Sequence, residues 1–282
     1  MRWGDARRSD NVEDRRGSGI GIHHIGIGGV VIALLLSWAT GTNPLTMLNL
    51  VDQVEQGAQP QAQSGAPANP NDPGVDFVRA ILGDTEDTWT AILQQRGGSY
   101  TPPHLVLYSG AVQSACGSAS SASGPFYCPG DQRVYLDLSF FDEMKQRLGG
   151  GGDFAQAYVI AHEVGHHVQN LLGISAKVER ARGDVSGAGG LSVRLELQAD
   201  CFAGVWANQA QQRHHWLEAG DAEQALNTAT AIGDDRLQQQ SQGRVVPDSF
   251  THGTSAQRVR WFRAGFDSGD IGRCDTFKAQ DL

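Results

Sequence analysis

The hydrophobic positions separate one long uncharged stretch from a series of shorter amphipathic segments. Residues 20–40 carry almost no charge and match the about twenty residues that a helix needs to cross a bilayer. The preceding residues 1–19 are polar and contain several arginines, which favours a cytoplasmic N-terminus. The pattern predicts a disordered cytoplasmic tail over residues 1–19 and a single-pass transmembrane signal anchor over residues 20–40. A cleaved signal peptide and a buried core helix are the alternatives for the apolar stretch.

The segment after the apolar stretch has the composition of a linker. Residues 56–74 are rich in Pro, Gln, Ala and Gly and contain nothing to bury, a composition typical of an extended tether. We therefore predict a linker over residues 41–74 and a folded domain over residues 75–282. The arginines before the anchor place this domain outside the cytoplasm.

Within the domain, the spacing of apolar residues alternates between the periods of helices and strands. Helical spacing over residues 75–95 predicts a packing helix, whereas residues 104–108 and 133–138 have the β-prone pattern of strands. The strand at 133–138 is either an edge strand that pairs with an extended peptide substrate or an ordinary sheet strand. This mixture indicates an α+β domain with a small sheet.

The apolar segment over residues 157–170 contains the pattern H-E-x-x-H and no proline, so we predict a helix. His162 and His166 are four residues apart, little more than one turn, and therefore share a face. Two imidazoles on one face bind a single zinc ion, while Glu163, about 100° around the helix, accepts a proton from a metal-bound water. The pattern predicts a zinc hydrolase. A buried helix with stray histidines is the alternative.

A third zinc ligand is expected from another helix, because two histidines leave the coordination incomplete. Residues 195–207 form an apolar, helix-prone segment in which Glu196 and Asp200 share a face. Glu196 completes a His2Glu site, and Asp200 orients a ligand histidine through its outer nitrogen. A solvated acidic face is the alternative, but these acids are embedded among apolar residues, where burial without a cation is costly.

Charge and cysteine content restrict the classes of function and partner. The net charge of -9 and the dispersed basic residues exclude a nucleic-acid partner. The four cysteines form no C-x-x-C pair, which argues against a cysteine-based zinc ribbon. Cys116 and Cys128 flank a Gly/Ser-rich loop that is able to close, so a disulfide between them is favoured and leaves Cys201 to pair with Cys274. Four buried free thiols are the alternative.

H-E-x-x-H followed by E-x-x-x-D resembles the gluzincin arrangement of thermolysin-like enzymes and of CaaX-type membrane endopeptidases. More closely, the N-terminal anchor and the stretches CGSASSASGPFYCP, VYLDLSFF, HEVGHHVQ, ELQADCFAGVWA and HGTSAQRVRWFRAGFDSGD resemble the bacterial neutral zinc metallopeptidase family over residues 75–275. The resemblance implies a zincin-like domain in which His162, His166 and Glu196 bind one zinc ion per chain and Glu163 is the general base. With the predicted anchor, it implies a bacterial inner-membrane protein whose C-terminal domain is extracytoplasmic.

A late loop and helix contain candidate groups for stabilising the oxyanion of peptide hydrolysis. His252 lies in a loop before an amphipathic helix that carries Arg258, and the CaaX-type endopeptidases have a comparable T-H-P motif with a downstream arginine. Here glycine replaces the proline. We predict that one or more of Tyr135, His252 and Arg258 stabilise the oxyanion; a capping histidine and a paired arginine are the alternative.

Together these patterns predict a zinc-dependent endopeptidase that acts on extracytoplasmic polypeptides through a zinc-activated water and a glutamate general base. Its expected partners are a peptide or protein substrate and the membrane, the latter through the N-terminal helix. The competing prediction is a non-catalytic, zinc-containing envelope protein that uses a zincin fold as a binding or scaffold module. The intact Glu163 favours the enzyme. The sequence indicates neither the substrate nor the oligomeric state.

Overall fold

The computed structural model describes residues 1–17, 66–67, 69, 71–147, 152–181, 187–218, 220–235, 238, 245–247 and 250–282. The predicted anchor over residues 20–40 lies outside these ranges, as does most of the predicted linker over residues 41–74. The described parts combine small sheets with packed helices. This architecture confirms the α+β class.

Two sheets contain the described strands. The strands are β1 (Val12–Asp14), β2 (Ala66–Pro67), β3 (His104–Tyr108), β4 (Ala111–Ser114), β5 (Gly117–Ser120), β6 (Phe126–Cys128) and β7 (Arg133–Asp137). Five of them form a mixed sheet in the order β2-β1-β3-β7-β6, and β4 pairs with β5 in a separate hairpin. β3 is parallel to β1 and β7, whereas β2 and β6 are antiparallel to their neighbours.

Both faces of the central strands are covered. Alternate residues of a strand point to opposite faces, so β3 and β7 contribute to two clusters. One face joins the main core with the helices, through Leu105, Leu107, Val134 and Leu136. The other face packs under the hairpin, through Val106, Tyr108 and Tyr135 with Val112 and Cys128. Because both sides are apolar, these strands are nearly continuous hydrophobic runs.

Helices form the rest of the domain. Their bounds are α1 (Pro73–Gln95), α2 (Ser139–Arg147), α3 (Asp153–Leu171), α4 (Ile174–Arg180), α5 (Leu191–His214), α6 (Asp221–Ala231) and α7 (Ser255–Ser268). α1 begins with an Asp72 carboxylate that accepts from two backbone N–H groups and with a proline in its first turn. α7 begins with a capping box between Thr254 and Gln257. The predicted helix over 75–95 and the strand over 104–108 are therefore confirmed.

The strand predicted over 133–138, for which an edge position and an ordinary sheet position were both open, lies inside the sheet. β7, which contains most of the predicted 133–138 strand, lies between β3 and β6 and is paired on both sides. On this side the described sheet ends with β6, which has only three residues. The ordinary-strand alternative is correct for 133–138, because the short β6 provides the edge.

The N-terminal residues 1–17 differ from the predicted disordered tail. β1 pairs in parallel with β3, so this segment is part of the sheet. The Arg8 guanidinium contacts the Asp76 carboxylate of α1 at 2.7 Å, and Trp3 packs edge-on against Phe77. The indole of Trp3 also donates to Asp153 at the start of α3, at 2.8 Å. Ion pairs and strand pairing with β2 and β3 therefore stabilise a segment whose own apolar content is low.

The predicted localisation is wrong. No helix among the residues that the structure describes is long and apolar enough to cross a membrane. In addition, Ala6 and Val12 belong to the same core as α1, α3 and α5. A single crossing over residues 20–40 would place the N-terminal residues and this core on opposite sides of a bilayer. The predicted cytoplasmic tail and extracytoplasmic domain are therefore incompatible with the fold.

Two glycines allow α5 and α7 to approach closely. A Cβ atom at Gly204 would lie 2.1 Å from the carbonyl oxygen of Phe262, and one at Gly265 would lie 2.0 Å from that of Cys201. The absence of side chains at both positions brings the two backbones together. A disulfide between Cys201 and Cys274 then ties α5 to the segment after α7.

The second disulfide joins Cys116 to Cys128 and closes the loop that contains β4 and β5. All four cysteines are thus paired, with the connectivity that the sequence favoured.

Candidate metal centre

The candidate centre lies where α3 crosses α5. A Cβ atom at Gly165 would be 3.1 Å from the carbonyl oxygen of Ala199, so the two helices are close together at this point. Gly165 lies between His162 and His166 in the sequence, and Ala199 lies between Glu196 and Asp200. The crossing therefore brings the H-E-x-x-H face of α3 against the E-x-x-x-D face of α5.

Three side chains converge at this crossing. Nε2 of His162 is 3.2 Å from Oε2 of Glu196, and Nε2 of His166 is 3.4 Å from the same oxygen. One ligand atom from each residue lies within 4.8 Å of the others. All three side chains are at most 17% exposed, so little water reaches the nitrogen and oxygen atoms that would bind a metal.

The spacing and chemistry of these donors fit a zinc ion. Two imidazole nitrogens and one carboxylate oxygen are the His2Glu set of catalytic zinc sites, and ligands of a tetrahedral zinc are about 3.3 Å apart. The charge also fits. Burial would lower the pKa of His162, but the Asp200 carboxylate raises it to about 10. Burial would raise the pKa of Glu196, but His166 and His162 hold it well below its usual range. The donors thus favour positive charge, which a bound cation supplies.

His162 is held by a buried ionic network. Its Nδ1–H donates to Oδ1 of Asp200 at 2.9 Å, and the hydroxyl of Tyr158 donates to the same oxygen at 2.5 Å. Arg258 donates to both oxygens of Asp200, each at 2.9 Å. Burial would raise the pKa of Asp200, but Arg258 and His162 lower it to about 2. A carboxylate on Nδ1 leaves Nε2 as the nitrogen that faces Glu196.

His166 is held by a residue to which the sequence assigned no role. Its Nδ1–H donates to Oε1 of Gln169 at 2.9 Å, and Gln169 is fully buried. The sequence does place Gln169 three residues after His166, on the same face of α3, so a contact between the two side chains was predictable. The sequence could not show that α5 supplies acceptors that fix the amide.

Glu163 lies on the same helix and lines the cleft in front of the three donors. It is 8% exposed, and burial raises the pKa of its carboxyl above the usual value. A carboxylate with a raised pKa is a stronger base near neutral pH. A general base in this cleft would need such a position and such a raised pKa.

His252 lies on the rim of this cleft, on the loop before α7. Oδ2 of Asp234 accepts from the backbone N–H groups of Thr251, His252 and Gly253, at 2.7, 2.6 and 3.0 Å. Gly253 adopts a positive φ of 93°, a conformation that glycine tolerates best. Asp234 thus fixes the conformation of this loop, in which Gly253 replaces the proline of the T-H-P motif.

Two of the predicted oxyanion stabilisers are directed elsewhere. The guanidinium of Arg258 is buried and donates to Asp200, Tyr158 and the carbonyl of Ile232. The hydroxyl of Tyr135 donates to Asp131 at 2.8 Å, on the sheet face that packs under the hairpin. Of the three candidates, His252 is the one that the structure places at the cleft with a half-exposed side chain.

The cleft has a volume of about 630 Å³ and an apolar wall. Its floor contains His162, Glu163, His166 and Glu196. The apolar lining comes from β6, α2, α3, α4 and α5 and from the end of α6, through Phe126, Phe140, Val159, Val178, Leu195 and Ile232. The edge strand β6 therefore runs along the site.

The chain is similar to proteins of several bacteria. The chain is 53% identical to "Uncharacterized protein YpfJ" of Escherichia coli K12 over 289 residues, which cover 98% of this chain and 99% of that protein. It is 46% identical to "Uncharacterized protein Rv2575" of Mycobacterium tuberculosis H37Rv over 232 residues, covering 79% of this chain and 76% of that protein. "Uncharacterized protein Mb2605" of Mycobacterium bovis matches to the same extent. No solved structure matches the chain significantly.

A family model described as "Putative neutral zinc metallopeptidase" matches residues 1–277. The match includes the N-terminal segment, the sheet and both helices of the candidate metal centre. The chain belongs to this zinc metallopeptidase family.

Proposed function

We propose that the protein is a zinc-dependent endopeptidase in which His162, His166 and Glu196 hold one zinc ion. The observation that carries the proposal is the convergence of two Nε2 atoms on one Glu196 oxygen, with the buried Glu163 carboxylate beside them in an open cleft. When bound there, zinc supplies a Lewis acid that polarises the scissile carbonyl and lowers the pKa of a water molecule.

Glu163 is the general base and then the general acid. Its carboxylate accepts the proton that the attacking water releases as the new C–O bond forms, and it delivers this proton to the leaving amine as the C–N bond breaks. Burial supports both steps, because it raises the pKa of Glu163 and so strengthens the base. His252, held by Asp234 through the loop backbone, is the proposed hydrogen-bond donor to the oxyanion.

The substrate is proposed to be an extended peptide. β6 ends the described sheet, and its residues Phe126 and Tyr127 line the cleft. An edge strand offers main-chain donors and acceptors to an extended chain, while the apolar wall accepts side chains. This arrangement suits cleavage within a polypeptide and carries no preference for a particular sequence.

A Glu163→Gln variant tests the proposal. It keeps the volume of the side chain and removes the base, so hydrolysis of a broad peptide library is expected to fall by about 10²–10⁴-fold. Zinc content is expected to remain that of the wild type, because Glu163 is not one of the three donors. A Glu223→Gln variant, on the exposed first turn of α6, is the matched control and is expected to cleave normally.

The same experiment separates the enzyme from a zinc-containing binding or scaffold protein. If the wild type and Glu163→Gln bind zinc equally and neither cleaves any peptide, the endopeptidase proposal fails. The scaffold function then accounts for the retained metal.

A further inference from the structure

We infer that Gln169 is a positioning residue that fixes the orientation of His166 toward the metal, through an amide relay anchored on the backbone carbonyl of Cys274. The inference rests on the proposed zinc site but concerns residues outside the donor set. The relay runs from Cys274 through the side chains of Gln198 and Gln169 to His166.

The orientation of the Gln169 amide is set by its partners. Its Nε2 donates to the carbonyl oxygen of Leu195 at 2.7 Å and to Oε1 of Gln198 at 3.2 Å. A backbone carbonyl only accepts, so the NH2 group must face Leu195. The Oε1 atom is then the one that faces His166. Rotation of the amide by half a turn would place Oε1 against two acceptors, the Leu195 carbonyl oxygen and Oε1 of Gln198.

Gln198 is oriented in the same way. Its Nε2 donates to the carbonyl oxygen of Cys274 at 2.9 Å, which leaves Oε1 to accept from Gln169. Two backbone carbonyls, those of Leu195 and Cys274, therefore determine both amides. The disulfide between Cys201 and Cys274 holds the second carbonyl against α5.

These assignments determine which nitrogen of His166 carries the proton. Because Oε1 of Gln169 only accepts, Nδ1 of His166 must be the protonated nitrogen in the neutral ring. The lone pair of Nε2 is then free and points to the side of Glu196, 3.4 Å away. Such partners fix the tautomer and the ring plane of a metal-binding histidine.

Burial makes the relay effective. Gln169 is 0% exposed and Gln198 is 5% exposed, so water cannot replace the missing partner when one member is removed. Both hydrogens of the Gln169 amide are used and its oxygen accepts from His166. A buried amide with every group satisfied is rigid, because any rotation leaves a polar atom unpaired.

The test is zinc affinity, measured by competition with a chromophoric chelator. Gln169→Leu keeps a similar volume and removes the acceptor, and we expect zinc to bind about 10–100-fold more weakly. Gln169→Glu keeps an oxygen toward His166 and is expected to lie between the wild type and Gln169→Leu. Gln212→Leu, which removes an exposed amide on α5, the helix that carries Gln198, is the control and is expected to bind like the wild type.

A spectroscopic readout distinguishes orientation from general loosening. We expect the visible absorption bands of Co²⁺ bound to Gln169→Leu to shift from those of the wild-type complex, while circular dichroism stays the same. If Gln169→Leu does not fold, Gln198→Leu decides, because it leaves the Gln169 oxygen and its bond to Leu195 in place but removes one of the two bonds that hold the amide. That variant is expected to weaken zinc binding by a smaller factor of about 3–10.

The inference is overturned if the folded Gln169→Leu variant binds zinc as the wild type does, or if Gln169→Glu is as weak as Gln169→Leu. In both cases the wild type still binds zinc, so the proposed function stands. A wild type that binds zinc and cleaves no peptide overturns the proposed function alone. A wild type that binds no zinc overturns both.

Discussion

Each histidine of the candidate metal centre is oriented by a hydrogen bond from Nδ1, but the acceptor is charged for His162 and neutral for His166. Nδ1 of His162 donates to Asp200, whose charge is balanced by Arg258; we call Asp200, Tyr158 and Arg258 the charged arm. Nδ1 of His166 donates to the neutral amide of Gln169. We call Gln169, Gln198 and the Cys274 carbonyl the amide arm.

The difference shows how a buried site controls its total charge. A second carboxylate on His166 would add a negative charge beside Glu196 and Asp200, with no further arginine in contact with them among the described residues. An amide orients the ring without that charge. The charged arm is anchored on α7, and the amide arm on the segment after it. Substitutions in the two arms should therefore change stability and zinc affinity to different extents.

Removal of the arginine should have the largest effect on stability. Arg258→Met keeps the length of the side chain but leaves the fully buried Asp200 without its counterion. Breaking a buried ion pair in this way costs about 3–5 kcal/mol. Urea unfolding at a fixed free zinc concentration measures the free energy of unfolding.

Arg260→Met is the matched control for this change. Arg260 makes an exposed hydrogen bond to the carbonyl of Leu282, so its loss should change stability by less than about 0.5 kcal/mol. A similar stability for the wild type and Arg258→Met would show that the charged arm does not hold Asp200.

Loss of the Cys201–Cys274 disulfide should come next. Its half-cystines are separated by 73 residues, and replacing both with serine should lower the free energy of unfolding by about 2–4 kcal/mol. Zinc affinity should fall as well, because the carbonyl of Cys274 anchors the amide arm. Chelator competition measures the second effect.

The Cys116–Cys128 disulfide provides the comparison, with a separation of 12 residues. Replacing this pair with serine should also reduce stability but leave zinc affinity unchanged, since neither cysteine touches an arm. Equal zinc affinities in the two double variants would contradict the coupling of the C-terminal segment to His166.

A substitution at the crossing of α3 and α5 should have the smallest effect of the three. Gly165→Ala places a Cβ atom 3.1 Å from the carbonyl oxygen of Ala199, so the helices must separate slightly. Overpacking of this kind costs about 1–3 kcal/mol. Zinc affinity should also decrease, because both histidines move relative to Glu196. Gly189→Ala, where a Cβ atom meets nothing within 4 Å, is the control. Unchanged zinc affinity in Gly165→Ala would argue against a tightly fixed crossing.

The sequence was sufficient for the parts of the site that depend on a single helix. Spacings of four residues place His162 with His166 and Glu196 with Asp200, and these faces meet in the structure. The partners of Arg258 and Gln169 could not be predicted in this way. They depend on the angle at which α3, α5 and α7 cross, and that angle is set by contacts such as those of Gly165, Gly204 and Gly265.

The N-terminal segment shows a second limit of sequence patterns. Val12–Asp14 has one apolar residue, so its strand conformation comes from pairing with β3 and not from its own composition. Arg8 and Trp3 lie within the predicted tail, yet they contact Asp76 and Phe77 of α1. A prediction based on local polarity therefore assigned residues 1–17 to a disordered tail, although they belong to the folded domain.

The most direct test of the proposed metal centre is the zinc stoichiometry and affinity of the wild type and of Glu196→Gln. We expect one zinc per wild-type chain, measured by metal analysis after dialysis at a fixed free zinc concentration. We also expect at least about tenfold weaker binding in Glu196→Gln, which removes the charged third donor. A wild type without zinc, or a Glu196→Gln variant with unchanged affinity, would contradict the proposed centre.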